Sequence, residues 1–292
     1  MRRSTIVMAA LALAVAGAAD AAAPKLKDRT AVSADGVKIH YRAGGTGAPA
    51  LVFVHCWSCD AGYWREQLPV FARSHRVVAI DLAGHGTSGD SRERFTIAAF
   101  AADVAAVVAK EKLERIVLIG HSMGGPVVLA AAPLLAGKVA LVVGVDNMQN
   151  VEQQWPEEQF RQMREAMARD FKATTDGFVR SMFPKDADQK LVASITSDMA
   201  AAPPRVAISA IEELRGFDEA QAMATAAVPI VCINATMWPT DVAANRRHAK
   251  SFDVVLIEGV GHFLQLERPQ AFNDALLRVL ADRGLHLSGP PR

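Results

Sequence analysis

Residues 116–133 read IVLIGHSMGGPVVLAAAP. Ile116 to Gly120 form a short apolar run of the kind that makes a buried strand, while the residues after Met123 are small helix formers. A strand ending at Gly120 and a helix starting near Met123 leave Ser122 at the tip of a very tight turn. Positions two residues away from such a tip must lack bulk, and Gly120, Gly124 and Gly125 meet that requirement. The helix N-terminus then points free amides and a positive dipole end at any negative charge that develops beside Ser122. A serine hydroxyl alone is a poor nucleophile. It needs a histidine base, an acid that orients the base, and amide donors for the oxyanion.

Working outward, strand-like and helix-like patterns alternate. Short apolar or β-branched runs occur at 37–43, 50–55, 76–81, 115–120, 139–145, 228–234 and 252–258, with helical stretches at 96–112, 122–136, 240–250 and 269–283. Continuous apolar strands separated by helices predict an α/β fold, a mostly parallel sheet with helices on both faces. One interval breaks the rhythm. Residues 149–224 carry no strand signal and read as several helices punctuated by Pro156, Pro184 and the pair Pro203 and Pro204. This predicts a helical cap inserted into a core made of residues 24–148 and 225–292. Its Met163, Met167, Met182, Met199, Phe160, Phe171 and Phe183 are read either as cap core or as the lining of an apolar pocket, since methionine surfaces adapt to varied ligands.

The 292 residues are 51% hydrophobic and 22% charged, which is enough for one sizeable core. A net charge of +1, with no basic run longer than Arg246 and Arg247, gives no electrostatic reason to expect a nucleic-acid partner. At the start, Arg2 and Arg3 precede the apolar stretch TIVMAALALAVAGAA and then small residues before Pro24. The apolar run is short against the roughly 20 residues of a membrane span, so residues 1–23 are read as a signal peptide, cleaved after Ala19, Ala21 or Ala23, and the protein as exported, periplasmic or secreted. No stable membrane association is expected after cleavage. Of three cysteines, Cys56 and Cys59 form a C-x-x-C, and Cys232 stands apart. No second ligand pair or thioredoxin-like setting accompanies the motif, which leaves a local disulfide or two free thiols.

With its G-x-S-x-G turn, the chain resembles the α/β-hydrolase superfamily in its cap-bearing, esterase-like branch, over roughly residues 30–285. The resemblance implies an order along the chain of serine, acid, histidine. His262, in IEGVGHFLQLERP between the last apolar strand and the last helix, matches the family's base-bearing loop, with Glu267 and Pro269 following. His75 and His248 are read as surface residues, and His286 as part of a polar tail. The oxyanion donors implied are the amides of Met123 and Trp57. Relatives usually read His-Gly-x in the latter loop, and here His55, Cys56 and Trp57 place a cysteine where glycine is usual. His55 is expected to prop that loop, and Asp81 and His85 in IDLAGHGTSG to serve as scaffold. For the acid, the family's later loop would put an aspartate where this chain has Trp238. Asp241 lies beyond it, and Asp146, at the end of the preceding strand, is the other position the family uses. Asp146 is favoured, with Asp241 as the alternative.

The resemblance implies a serine hydrolase that cleaves ester-type bonds of a small, apolar substrate through Ser122, His262 and an aspartate. No metal or organic cofactor is required. Serine rather than aspartate as nucleophile disfavours epoxide hydrolase and haloalkane dehalogenase chemistry. Lactonase, carbon-carbon bond hydrolase, aminopeptidase and perhydrolase activities stay open, as does a ligand-binding or vestigial role with little turnover. Sequence leaves the oligomeric state open.

Overall fold

The computed structural model describes residues 24–285, so the expected leader and His286 lie outside the described residues. Eight strands form one sheet in the order β1-β2-β4-β3-β5-β6-β7-β8. They are β1 (Lys27–Val32), β2 (Lys38–Gly44), β3 (Ala50–Val54), β4 (Val77–Ile80), β5 (Ile116–His121), β6 (Val139–Val145), β7 (Pro229–Ala235) and β8 (Ser251–Ile257). The pairs β1–β2 and β2–β4 are antiparallel, and every other pair is parallel. This is the mostly parallel α/β architecture expected from the alternation of apolar runs.

The central strands are apolar on both sides because helices cover both faces. Alternation along each strand sorts the side chains. Val52, Leu118 and Val142 face one core together with Val104 and Val107 of α2 (Ile97–Lys110) and Val127 of α3 (Gly124–Leu134). Phe53, Val117 and Val143 face the other, against Trp64, Phe71 of the short helix α1 (Leu68–Phe71), and Phe272 and Leu276 of α11 (Pro269–Asp282).

Between β6 and β7 the chain forms α4 (Glu157–Arg169), α5 (Phe171–Arg180), α6 (Gln189–Met199), α7 (Pro204–Gly216) and α8 (Glu219–Ala226). The first four pack on one another or over α2. The fifth lies against α3 of the core, so the return to the core begins before residue 225. Among the described residues two short α-helices remain, α9 (Val242–Arg246) and α10 (Leu264–Glu267), with a 3-10 turn at Ala61–Trp64.

Three local expectations change. Strand β1 carries no apolar run, because as an edge strand it buries only Ala31. The helix expected over 240–250 shrinks to α9, which Asp241 caps. His75 is buried rather than on the surface. Its ring lies beside Ser74 Oγ and the Leu285 carbonyl, so its polar sequence neighbours misstate its environment.

Candidate active site

The turn after β5 is built from clashes that glycine avoids. A Cβ on Gly120 would sit 2.1 Å from the Gly124 carbonyl oxygen, and one on Gly124 would sit 2.5 Å from that of Val54. Ser122 between them adopts φ +52°. A non-glycine residue in the left-handed region costs on the order of 1–3 kcal/mol, and persists only where its surroundings over-determine it. Here they do. The Ser122 amide donates to the Val145 carbonyl at 3.0 Å, while the Ser122 carbonyl accepts from Gly125 N–H at 2.8 Å and from Asn147 Nδ2 at 3.3 Å.

One strand over, the end of β6 repeats the device. Asp146 has φ +46°, and its amide donates to the Ile233 carbonyl of β7 at 3.0 Å. Its two carboxylate oxygens take separate donors. Oδ1 accepts from Ala235 N–H at 2.9 Å, and Oδ2 lies 2.6 Å from His262 Nδ1. Asn147 ties the two turns together, with Nδ2 donating to the Gly120 carbonyl at 2.8 Å and its own amide donating to Asn234 Oδ1 at 3.3 Å.

His262 sits on the loop after β8, and that loop is held from three sides. Its backbone N–H donates to the Met182 carbonyl, beyond the end of α5, at 2.9 Å. Glu267 of α10 reaches back to accept from Gly261 N–H at 2.9 Å and Phe263 N–H at 3.1 Å; burial pushes its pKa up despite those amides. From below, His121 approaches the His262 carbonyl at 2.8 Å through Nε2, while Gln265 lies 3.2 Å from its other nitrogen. Burial, with further push from His262 and His55, holds His121 well below the usual imidazole pKa, so it is neutral and fits a donor role at Nε2.

Asp241 is not brought to His262. Its Oδ1 accepts from Ala244 N–H at 2.9 Å at the start of α9, and its Oδ2 lies 3.4 Å from Asn150 Nδ2. Trp238 stands edge-on to the His262 ring with centroids 5.8 Å apart. Among the described residues, the amides of Met123 and Trp57 donate to no other protein group. Cys56 and Cys59 are joined in a disulfide. His55, whose pKa burial lowers, directs Nδ1 at the Cys56 carbonyl at 2.7 Å and accepts from Leu82 N–H at Nε2, so it props the loop. Asp81 accepts from the amides of Ala61 and Thr87 and pairs with His40 at 2.8 Å, a scaffold arrangement. Buried His85 is pushed down to about 3, chiefly by desolvation. Free Cys232, buried beneath the site, has its thiol pKa pushed up by burial, so it stays protonated.

Ser122, Met123, Asp146, Trp57 and His262 all line one cavity of about 790 Å³. Of the cap residues singled out from the sequence, Phe160, Met182 and Met199 reach it, joined by Phe178, Ile211 and Leu214. Met167 is buried, and Phe183 stacks on Phe263. Asn147, the Met182 carbonyl, His121 and the loop-holding part of Glu267 carry no motif of their own in the sequence. The polar pair Asp146 and Asn147 directly after an apolar strand was the available signal for the first. Among the described residues, no group of three or more His, Cys, Asp or Glu side chains is placed to hold a metal ion.

The model of the alpha/beta hydrolase family matches residues 51–275. The chain is 36% identical over 111 residues to the dihydrolipoyllysine-residue acetyltransferase component of the acetoin cleaving system of Cupriavidus necator, covering 37% of this chain and 30% of that protein. It is 39% identical over 113 residues to a non-heme haloperoxidase of Rhodococcus erythropolis, covering 38% and 41%. The chain thus spans less than half the length of these curated relatives. Solved structures with the same fold include a bromoperoxidase from Bacillus anthracis (TM-score 0.78, 21% identity, 88% and 100% of the two chains) and an esterase from Exiguobacterium antarcticum (TM-score 0.79, 19% identity, 87% and 100%).

Proposed function

Since the chain belongs to the alpha/beta hydrolase family, we propose that it is a serine hydrolase acting on ester-type bonds, with Ser122 as nucleophile, His262 as base and Asp146 as the orienting acid. One observation carries the reading: the 2.6 Å contact between Asp146 and His262 lines the same cavity as a serine held in a left-handed turn.

The chemistry follows from the hydrogen-bond inventory. Asp146 Oδ1 is already occupied by the Ala235 amide, so Oδ2 accepts Nδ1–H of His262 and leaves Nε2 with its lone pair. Nε2 takes the Ser122 proton as the hydroxyl oxygen attacks the ester carbonyl. The free amides of Met123, at the N-terminus of α3, and of Trp57 stabilise the oxyanion. Collapse expels the alcohol, which takes the proton from Nε2. Water, deprotonated by the same nitrogen, then releases the acid from the acyl-enzyme. The Phe160, Phe178, Met199, Ile211 and Leu214 side chains favour an apolar acyl or alcohol group.

The experiment is steady-state turnover on a panel of p-nitrophenyl esters and lactones of increasing chain length. Wild-type protein is expected to turn over at least one class, and Ser122→Ala, folded to the same extent, to lose that turnover by roughly 10³-fold or more. A Ser122→Ala variant that retains most of the rate overturns the assignment. The Cys56–Cys59 disulfide supports the exported location read from the N-terminal sequence, because such bonds persist in oxidising compartments. N-terminal sequencing of protein from a periplasmic or culture fraction tests it, and an intact leader on cytoplasmic protein refutes it.

A further inference from the structure

We propose that the Cys56–Cys59 disulfide is a positioning device for the oxyanion site: it closes the turn that carries the Trp57 amide and holds that amide toward the cavity. The inference rests on the reading of Ser122 as nucleophile given above.

Trp57 N–H and the Cys56 carbonyl belong to one planar trans peptide, so whatever fixes the carbonyl aims the N–H the opposite way. Two donors fix it. His55 Nδ1 approaches the Cys56 oxygen at 2.7 Å, and Cys59 N–H donates to it at 3.3 Å. The second of these closes a four-residue turn through Ser58, which sits at φ +55°. A non-glycine residue there opposes the turn, and a 3.3 Å hydrogen bond is a weak restraint against it. The covalent link between Cys56 and Cys59, with their Cα atoms 5.3 Å apart, supplies what that hydrogen bond lacks. Cys56 itself lines the cavity.

The far side of Trp57 is held by the cap. Its indole Nε1–H donates to the Ala207 carbonyl of α7 at 2.7 Å, and its ring meets Phe171 and Phe178 of α5 edge-on. Reduction by a dithiol transfers two electrons and two protons to the disulfide, giving two thiols while the reagent cyclises to its own disulfide. Cys59 N–H is then tethered only by its hydrogen bond, which leaves the His55 contact as the one strong restraint on the Cys56–Trp57 peptide plane.

The test compares the oxidised protein, the protein reduced with dithiothreitol and desalted anaerobically, the same sample reoxidised with glutathione disulfide, and a Cys56→Ser/Cys59→Ser variant. Thiol counts under denaturing conditions verify each state, one free thiol when oxidised and three when reduced. Complete loss of one oxyanion donor lowers kcat by about 10²–10³-fold. Loosening it is expected to lower kcat by at least about tenfold, with KM nearly unchanged, circular dichroism preserved, and the rate restored on reoxidation. Unchanged kcat after reduction overturns the proposal. So does a loss that comes with unfolding, since the bond would then hold the fold and not the turn. Labelling with a fluorophosphonate separates this inference from the one beneath it: equal labelling rates in both redox states overturn the disulfide's part alone, whereas oxidised protein that never reacts overturns the nucleophile assignment and this proposal with it.

Discussion

Replacing Asp146 by asparagine turns one of its two carboxylate oxygens into an NH2 group, and the structure dictates which way the amide turns. Ala235 N–H, 2.9 Å from Oδ1, needs an acceptor, so the asparagine carbonyl stays there and its NH2 faces His262 Nδ1 across the present 2.6 Å contact. Nδ1 must then accept, which places the ring proton on Nε2 and removes the lone pair that would take the Ser122 proton. In a well-studied serine protease, this enforced wrong tautomer lowers kcat by roughly 10⁴, equivalent to about 5 kcal/mol of barrier. The same magnitude is expected here, with little change in stability because both contacts survive as hydrogen bonds. Asp241→Ala is the matched control. It removes the N-cap of α9 at Ala244, which costs on the order of 1 kcal/mol, or about 2–4 °C in Tm for a chain of this size, and leaves kcat untouched. Both variants are assayed by initial rates on the best ester of the panel and by calorimetry. An Asp146→Asn enzyme within tenfold of wild type, or an Asp241→Ala enzyme that loses turnover while staying folded, refutes the reasoning.

Two further predictions concern desolvated carboxylates, Asp103 fully buried and Glu219 half-buried. Arg92 pairs with Asp103, which is fully buried, and with Asp35; Arg92→Met strands the Asp103 carboxylate and should cost about 3–5 kcal/mol, read in urea unfolding, with a loss under 1 kcal/mol as the contradicting result. Glu219 of α8 lines the cavity and burial pushes its pKa up to about 7. A carboxyl whose folded pKa is raised stabilises the fold below its unfolded value near 4.5 and loses that contribution as pH rises through about 7. Glu219→Gln should therefore gain stability relative to wild type between pH 4.5 and 8, by the order of 1–3 kcal/mol at the upper end; a Tm difference that does not vary with pH contradicts it.

The sequence made the sheet legible because its parallel strands are buried on both faces and so are written as unbroken apolar runs. Strand β1 was not legible, since an exposed edge strand needs no such run and KDRTAV buries one residue. His75 misled for the converse reason: polar neighbours surround it in sequence, while in space its ring is tucked against the Leu285 carbonyl. Ser122 stood out because its tight strand-to-helix turn needs glycine on both sides, and His262 because its loop matches the base-bearing loop of the resembled family. The acid did not. Whether Asp146 or Asp241 meets His262 depends on how far β6 and β7 extend relative to each other and on where the loop around Trp238 folds, and neither distance is written in local pattern. Nor was the state of Cys56 and Cys59, because a C-x-x-C spacing fits both a closed turn and two thiols.

The most direct measurement of the central claim is rapid acid quench of the protein during turnover of p-nitrophenyl acetate, followed by intact mass and peptide mapping. One added acetyl group is expected, on the peptide holding Ser122, formed within the burst and lost as turnover ends. Acetylation at any other residue, or hydrolysis that proceeds with no acylated Ser122 at any time, contradicts it.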